Sequence, residues 1–233
     1  MARPRLVELA LREGPLLQVA LDFASLEDAV RLAARLRREI SSCLVYEAGT
    51  PLIKSVGMSS VRLLAAVAGP CPVLADTKTM DTGALEARLA AEAGADAVTV
   101  LAVALDETIR EAAEEAHKQG MAIAADLIGV KDPVARAEEL ASLGVDIVEV
   151  HVGIDAQRAL GMSAADLVEA VKRIKERFPG AVAVAGGLNA KTAPRLVEAG
   201  ADIVVVGGAI TRSPEPTESA KAVLEAIKRA ARA

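Results

Sequence analysis

A chain of 233 residues with a net charge of −5, more than half of it hydrophobic, can build one sizeable α/β domain. Its acidic balance argues against nucleic acid or an anionic membrane as partner. No stretch approaches the ~20 uninterrupted apolar residues of a membrane span. Aromatic residues are nearly absent, so the core must be built from Ala, Val, Leu and Ile.

Residues 1–15, "MARPRLVELALREGP", are interrupted by charges throughout and read as a short amphipathic helical extension, not a signal peptide. Eight apolar, β-branched runs follow: 16–21, 43–48, 72–76, 97–102, 121–126, 146–151, 181–186 and 202–207. The segments between them carry a 3.6-residue period, as in "SLEDAVRLAARLRRE" and "DETIREAAEEAHKQG". Ser25 with Asp28 and Ser163 with Asp166 have the spacing of N-terminal helix caps.

Three stretches, "AEAGADAVTV", "ASLGVDIVEV" and "VEAGADIVVV", repeat one design of helix end, Gly C-cap, turn and buried strand. Strands alternating with helices predict parallel pairing, and eight units predict a closed (β/α)₈ TIM-type barrel spanning 16–233 as one catalytic domain. An open doubly wound sheet would want a Gly-rich phosphate loop after its first strand, and "ALDFASLED" offers none.

Barrel active sites sit at the C-terminal strand ends. Here those ends carry Asp22, Glu47, Asp76 with Lys78, Asp126 and His151, in strands otherwise almost wholly apolar. Asp76 and Lys78, two apart, should project to one side of a strand, with Asp81 following so that two carboxylates flank one amine. At ~4 Å and an effective dielectric near 20 each pairing is worth about 4 kcal/mol, so Lys78 should remain an ammonium. That suits it better to stabilise an oxyanion, or to donate a proton, than to attack a carbonyl as a Schiff-base nucleophile. Glu47, on the neighbouring strand, can meet Asp76 to give the hard oxygen pair that Mg²⁺ accepts. His151 is placed as a general base, whereas His117, inside a polar helix, should lie on the surface. Gly186–Gly187 and Gly207–Gly208 end strands 7 and 8, where bare amides can hold a phosphate; Arg212 either adds a charge there or faces solvent. Cys43 and Cys71 have neither metal-ligand nor redox spacing and read as reduced packing residues, which suits a cytoplasmic enzyme.

The Asp-x-Lys-x-x-Asp run after strand 3 resembles that of the orotidine-5′-phosphate decarboxylase superfamily. "LQVALD", "EAGTPLIKSVG", "ADTKTMDTGALEA", "GADAVTVLA", "ADLIGV", "HVGID", "VAGGLN" and "VVGGAI" resemble its 3-hexulose-6-phosphate synthase branch, from residue 16 to the C-terminus. The resemblance implies a Mg²⁺-dependent aldol condensation of formaldehyde with D-ribulose 5-phosphate, passing through an enediolate. It implies Glu47 and Asp76 as metal ligands, His151 as the base for the C1 proton and Lys78 beside the enediolate. Asp22 and Asp126 would position substrate and lysine, and Asp81 would reach into the partner's site of a homodimer.

The sister branch, 3-keto-L-gulonate-6-phosphate decarboxylase, carries Arg where Ile154 and Gly208 stand and Glu where Asp126 stands. Orotidylate decarboxylases usually continue Ile-x-x-Thr where "TGAL" follows Asp81. Thr77, Ala102 and Tyr46 depart from the synthase pattern and bear on rate and substrate range. From another class, a sugar-phosphate-binding barrel without catalysis is the alternative.

Overall fold

The computed structural model describes residues 3–232. Eight parallel strands close in chain order into a barrel: β1 (Leu16–Leu21), β2 (Val45–Ala48), β3 (Val73–Thr79), β4 (Ala97–Leu101), β5 (Ala122–Asp126), β6 (Ile147–His151), β7 (Ala181–Ala185) and β8 (Ile203–Val206). β8 pairs back onto β1 through Leu16↔Ile203 and Val19↔Val206. Helices occupy every connection, and Ser25 and Ser163 cap the segments expected of them, Ser163 within a reciprocal box with Asp166.

The largest departure from the expected strands is β3, which runs on to Thr79. Its pairing with β4 shifts register between Ala75 and Thr79, a bulge that puts Lys78 at φ 47°. A left-handed lysine is strained, and such strain gathers at functional sites. The bulge, and not a flat strand, aims Lys78 and Asp76 at the same space.

Strand alternation sorts side chains into two apolar layers. One set (Leu17, Val19, Leu21, Tyr46, Val98, Val148 and their like) packs against the surrounding helices. The other fills the barrel interior with small residues, among them Ala20, Ala97, Ala122, Ala124, Ala181 and Ala183. The helix α1 (Arg5–Arg12) closes the floor of this interior with Leu6, Val7 and Ala10, all buried. Burying Leu6 and Val7 contributes roughly 1.5–3 kcal/mol each. Arg5 fixes the helix to the Pro70 carbonyl and lies 4.0 Å from Asp96. The expected extension is thus a floor plug; its Met1 and Ala2 lie outside the described residues.

The repeat noted in the sequence has a physical role. Asp96, Asp146 and Asp202 precede β4, β6 and β8, and their carboxylates accept the N–H groups of Val73, Ile123 and Val182 at the starts of β3, β5 and β7 (2.8, 2.9 and 2.7 Å). The glycines ahead of them, Gly94, Gly144 and Gly200, take φ of 89°, 86° and 104°, as helix-ending glycines do.

Two expectations are corrected. Cys43 and Cys71 are not free thiols: they form a disulfide across a Cα separation of 5.3 Å. Neither has a nearby cysteine in sequence, but the β2–β3 ladder, Tyr46 opposite Val73, brings the residues before each strand together. The cytoplasmic setting loses the support that reduced thiols gave it. His117 is not a plain surface residue; its side chain is 29% exposed and its Nε2 lies 2.8 Å from Asp146 Oδ2. No described helix is long and apolar enough to cross a membrane.

Candidate active site

The interior-facing positions above the apolar layers turn polar at the C-terminal mouth, around a cavity of about 820 Å³. Asp22, Glu47, Asp76, Lys78 and His151 all line it, as do both glycine pairs. Asp126 sits directly beneath, 1% exposed.

Lys78 is the hub. Its Nζ donates to both oxygens of Asp76 (3.0 and 2.9 Å) and to Asp126 Oδ2 (2.9 Å). Asp76 is held by Thr99 Oγ1 on Oδ1 (2.8 Å) and Thr50 Oγ1 on Oδ2 (2.6 Å). The second carboxylate on the amine is therefore Asp126 from β5 and not Asp81. Asp81 lies beyond the bulge, exposed, accepting only the Thr82 N–H, and it does not line the cavity. Burial alone would lower the lysine's pKa, but Asp76, Asp126 and Glu149 outweigh it and raise it, so Lys78 remains an ammonium.

Asp126 also meets His151, whose Nδ1 lies 2.9 Å from the same Oδ2. Burial works against its charge, yet the bonds from His151 and Lys78 bring its pKa down to about 2. A carboxylate this persistent holds the proton of imidazole on Nδ1 and leaves Nε2 free to act as a base.

The other carboxylates are under-compensated. Glu47 and Glu149 are each buried, and their pKa values are raised well above the ordinary range, first by burial and then by neighbouring carboxylates. Asp22 is raised by burial and by Asp76. Glu47 has only the Gln18 amide, 2.8 Å from Oε2, as a donor, and the Oε1 of Gln18 has no partner. Buried carboxylates facing one another in this way form a hard-oxygen donor set that fits a divalent cation. Among the described residues, Asp126, Glu149 and His151 form a group of three whose ligand atoms all lie within 4.8 Å of one another. In that group the His151 Nδ1 is already directed at Asp126 Oδ2, with Glu149 Oε1 3.5 Å away. The uncompensated charge lies instead around Glu47, whose charged neighbours are Asp76, Glu149 and Asp22.

Strand-end reading missed Glu149, Gln18 and Thr99. Gln18 and Glu149 stand inside apolar runs at even spacing from a strand-end residue (Asp22 and His151), and that parity was the available signal; Thr99 has no such partner at the end of its run. Thr50 carries no such signal, because it opens the helix after β2.

The 3-hexulose-6-phosphate synthase of Mycobacterium gastri is 39% identical to this chain over 211 residues, covering 91% of the chain and 99% of that protein. The solved structure of 3-hexulose-6-phosphate synthase from Salmonella typhimurium superposes with a TM-score of 0.85 at 32% identity, over 92% of this chain and 99% of its own. KGPDC from Streptococcus mutans, in complex with D-R5P, gives a TM-score of 0.84 at 28% identity, over 92% and 98%. The profile of the family described as "Orotidine 5′-phosphate decarboxylase / HUMPS" matches residues 15–223, beginning after α1 and taking in every strand and every residue of the cavity. The chain belongs to the orotidine 5′-phosphate decarboxylase / HUMPS family.

Proposed function

We propose that this chain is a 3-hexulose-6-phosphate synthase, joining formaldehyde to D-ribulose 5-phosphate to give D-arabino-hex-3-ulose 6-phosphate. The observation that carries the reading is Asp126, whose Oδ2 is shared by the Lys78 ammonium and the His151 imidazole. One side chain thereby orients a base and a cation towards the same space. With the base's Nε2 free, His151 removes the C1 proton of the ketose. Lys78, locked as an ammonium, faces the oxyanion of the enediolate that results. The enediolate carbon bonds to the carbon of formaldehyde, and the proton taken by His151 returns to the new alkoxide.

Glu47 and Asp76 are the residues we assign to Mg²⁺, with Glu149 and Asp22 adding to the negative field. When bound, the cation supplies Lewis-acid polarisation of the substrate oxygens. Gly186–Gly187 and Gly207–Gly208 receive the phosphate, and residues 16–233 act as one catalytic domain. Asp81 serves the neighbouring site of a homodimer. Its exposure next to Met80 and Leu85, both about half exposed, supports a covered surface there. A phosphorylated sugar, which does not cross membranes unaided, favours a cytoplasmic setting.

The test is formaldehyde consumption with ribulose 5-phosphate, with and without Mg²⁺, run beside CO₂ release from 3-keto-L-gulonate 6-phosphate. Magnesium-dependent loss of formaldehyde supports the reading. CO₂ release without formaldehyde consumption transfers the chain to the sister activity, and neither reaction would make it a binding barrel.

A further inference from the structure

We propose that Arg212, folded back over Gly208, is the side chain that reads the substrate's phosphate in this chain. The inference rests on the mouth being a sugar-phosphate site and names the residue responsible for recognition.

Three basic side chains line the cavity among the described residues: Lys78, His151 and Arg212. The first two are committed. Lys78 directs its ammonium at Asp76 and Asp126, and His151 binds Asp126. The Arg212 side chain makes no hydrogen bond or ion pair with any described residue, although it is rich in donors; it lines the same cavity as both glycine pairs and lies against Gly208. A phosphate entering a mouth with five carboxylates meets strong repulsion. The cation that admits it must have donors that are not already bound to those carboxylates.

The position of Arg212 follows from local geometry. Gly208 opens the short helix Gly208–Thr211, and Arg212 caps its end one turn later. Side chains on a helix lean towards its N-terminus and cover the residue four positions earlier. The guanidinium therefore lies over Gly208, so closely that a Cβ there would overlap it, with Nε 3.1 Å from the same point. The glycine is thus a socket for the arginine. Its charge also reaches into the mouth, since it is among those that counter the raised pKa of Asp22. A forked guanidinium suits a phosphate dianion, offering two parallel donors.

Calorimetric binding of inorganic phosphate and of D-ribulose 5-phosphate tests this in the wild type, Arg212→Met, Arg212→Lys, Gly208→Ala and the double variant Gly208→Ala/Arg212→Met. Arg212→Met should weaken both ligands by about tenfold or more and raise KM more than it lowers kcat, while Arg212→Lys retains part of the affinity. Gly208→Ala should weaken both ligands alone yet add nothing in the Arg212→Met background, because its effect is to displace the guanidinium. Wild-type affinity in Arg212→Met overturns the proposal, as does an equal cost of Gly208→Ala in both backgrounds. If the wild type turns over no ribulose 5-phosphate but Arg212→Met still loses inorganic phosphate, the phosphate reader stands and the synthase reading fails. If Arg212→Met turns over ribulose 5-phosphate with unaltered KM, the synthase reading stands and this inference fails.

Discussion

The Nδ1 of His151 lies 2.9 Å from Oδ2 of Asp126, an oxygen that also takes a bond from Lys78. Asp126 therefore sets the state of both of its partners. Asp126→Asn keeps the shape but removes the charge and presents an amide that can turn its donor to His151, favouring the wrong tautomer. We expect kcat to fall by about a hundredfold or more with KM little changed. A rise confined to KM would show that Asp126 only shapes the pocket. The carboxylate's pKa of about 2 against an ordinary 3.8 means that its contribution to stability is present above about pH 4 and is lost as pH falls towards 2. Acid unfolding of Asp126→Asn should lack that component.

The raised pKa values of Glu47 and Glu149 have the opposite sign. Their folded forms hold protons more tightly than the unfolded chain, so they weaken the metal-free fold as pH rises from the ordinary value of 4.5. A cation competes with those protons. The increase in Tm on adding Mg²⁺ should therefore grow between pH 5 and pH 8, and it should shrink in Glu47→Gln. A shift independent of pH, or preserved in that variant, would place the cation elsewhere. Excess chelator should abolish turnover while the barrel stays folded.

In the proposed reaction Lys78 faces the enediolate, so Lys78→Ala should cost roughly 3–4 kcal/mol in kcat, with substrate binding less affected. Asp81 is exposed and outside its own cavity. If it completes the partner's site, a heterodimer of Lys78→Ala with Asp81→Ala has one doubly mutated site and one intact site. Random pairing makes half the dimers mixed, so exchange should restore up to about a quarter of wild-type activity. Exchange without recovery would return Asp81 to its own chain.

The Cys43–Cys71 disulfide closes a loop of 28 residues at the starts of β2 and β3, on the floor side of the barrel. Chain entropy puts its contribution at roughly 3–4 kcal/mol. The Cys43→Ser/Cys71→Ser variant should melt about 8–14 °C lower while its kcat and KM match the wild type. A loss of activity at temperatures where the variant is folded would tie the bridge to the mouth.

The fold was legible because strand periodicity repeats eight times and the Gly-Ala-Asp and Gly-Val-Asp repeat marks three strand starts. The strand ends also disclosed most of the candidate site's lining, since Asp22, Glu47, Asp76, Lys78 and His151 reach one cavity. What sequence concealed depends on pairing across the barrel. The second partner of Lys78 is Asp126, 48 residues away, and the bulge that aims the lysine is a register shift against β4 that local pattern does not encode. The disulfide was hidden for the same reason, its cysteines being adjacent only through the β2–β3 ladder.

The aspartate clasps bear on how the barrel assembles. Asp96, Asp146 and Asp202 reach back only 20 to 23 residues, to Val73, Ile123 and Val182. Each clasp can secure a strand, its helix and the next strand as a local unit, at small loop-closure cost. Closure of β8 onto β1, Leu16 against Ile203, joins opposite ends of the chain and has no such local help. Pulse-labelled hydrogen exchange during refolding should find the amides of Val73, Ile123 and Val182 protected before those of β1; simultaneous protection would mean the barrel closes in one step. Early protection at those three amides would mean that three carboxylates far from the chemistry set the order in which the barrel is drawn shut.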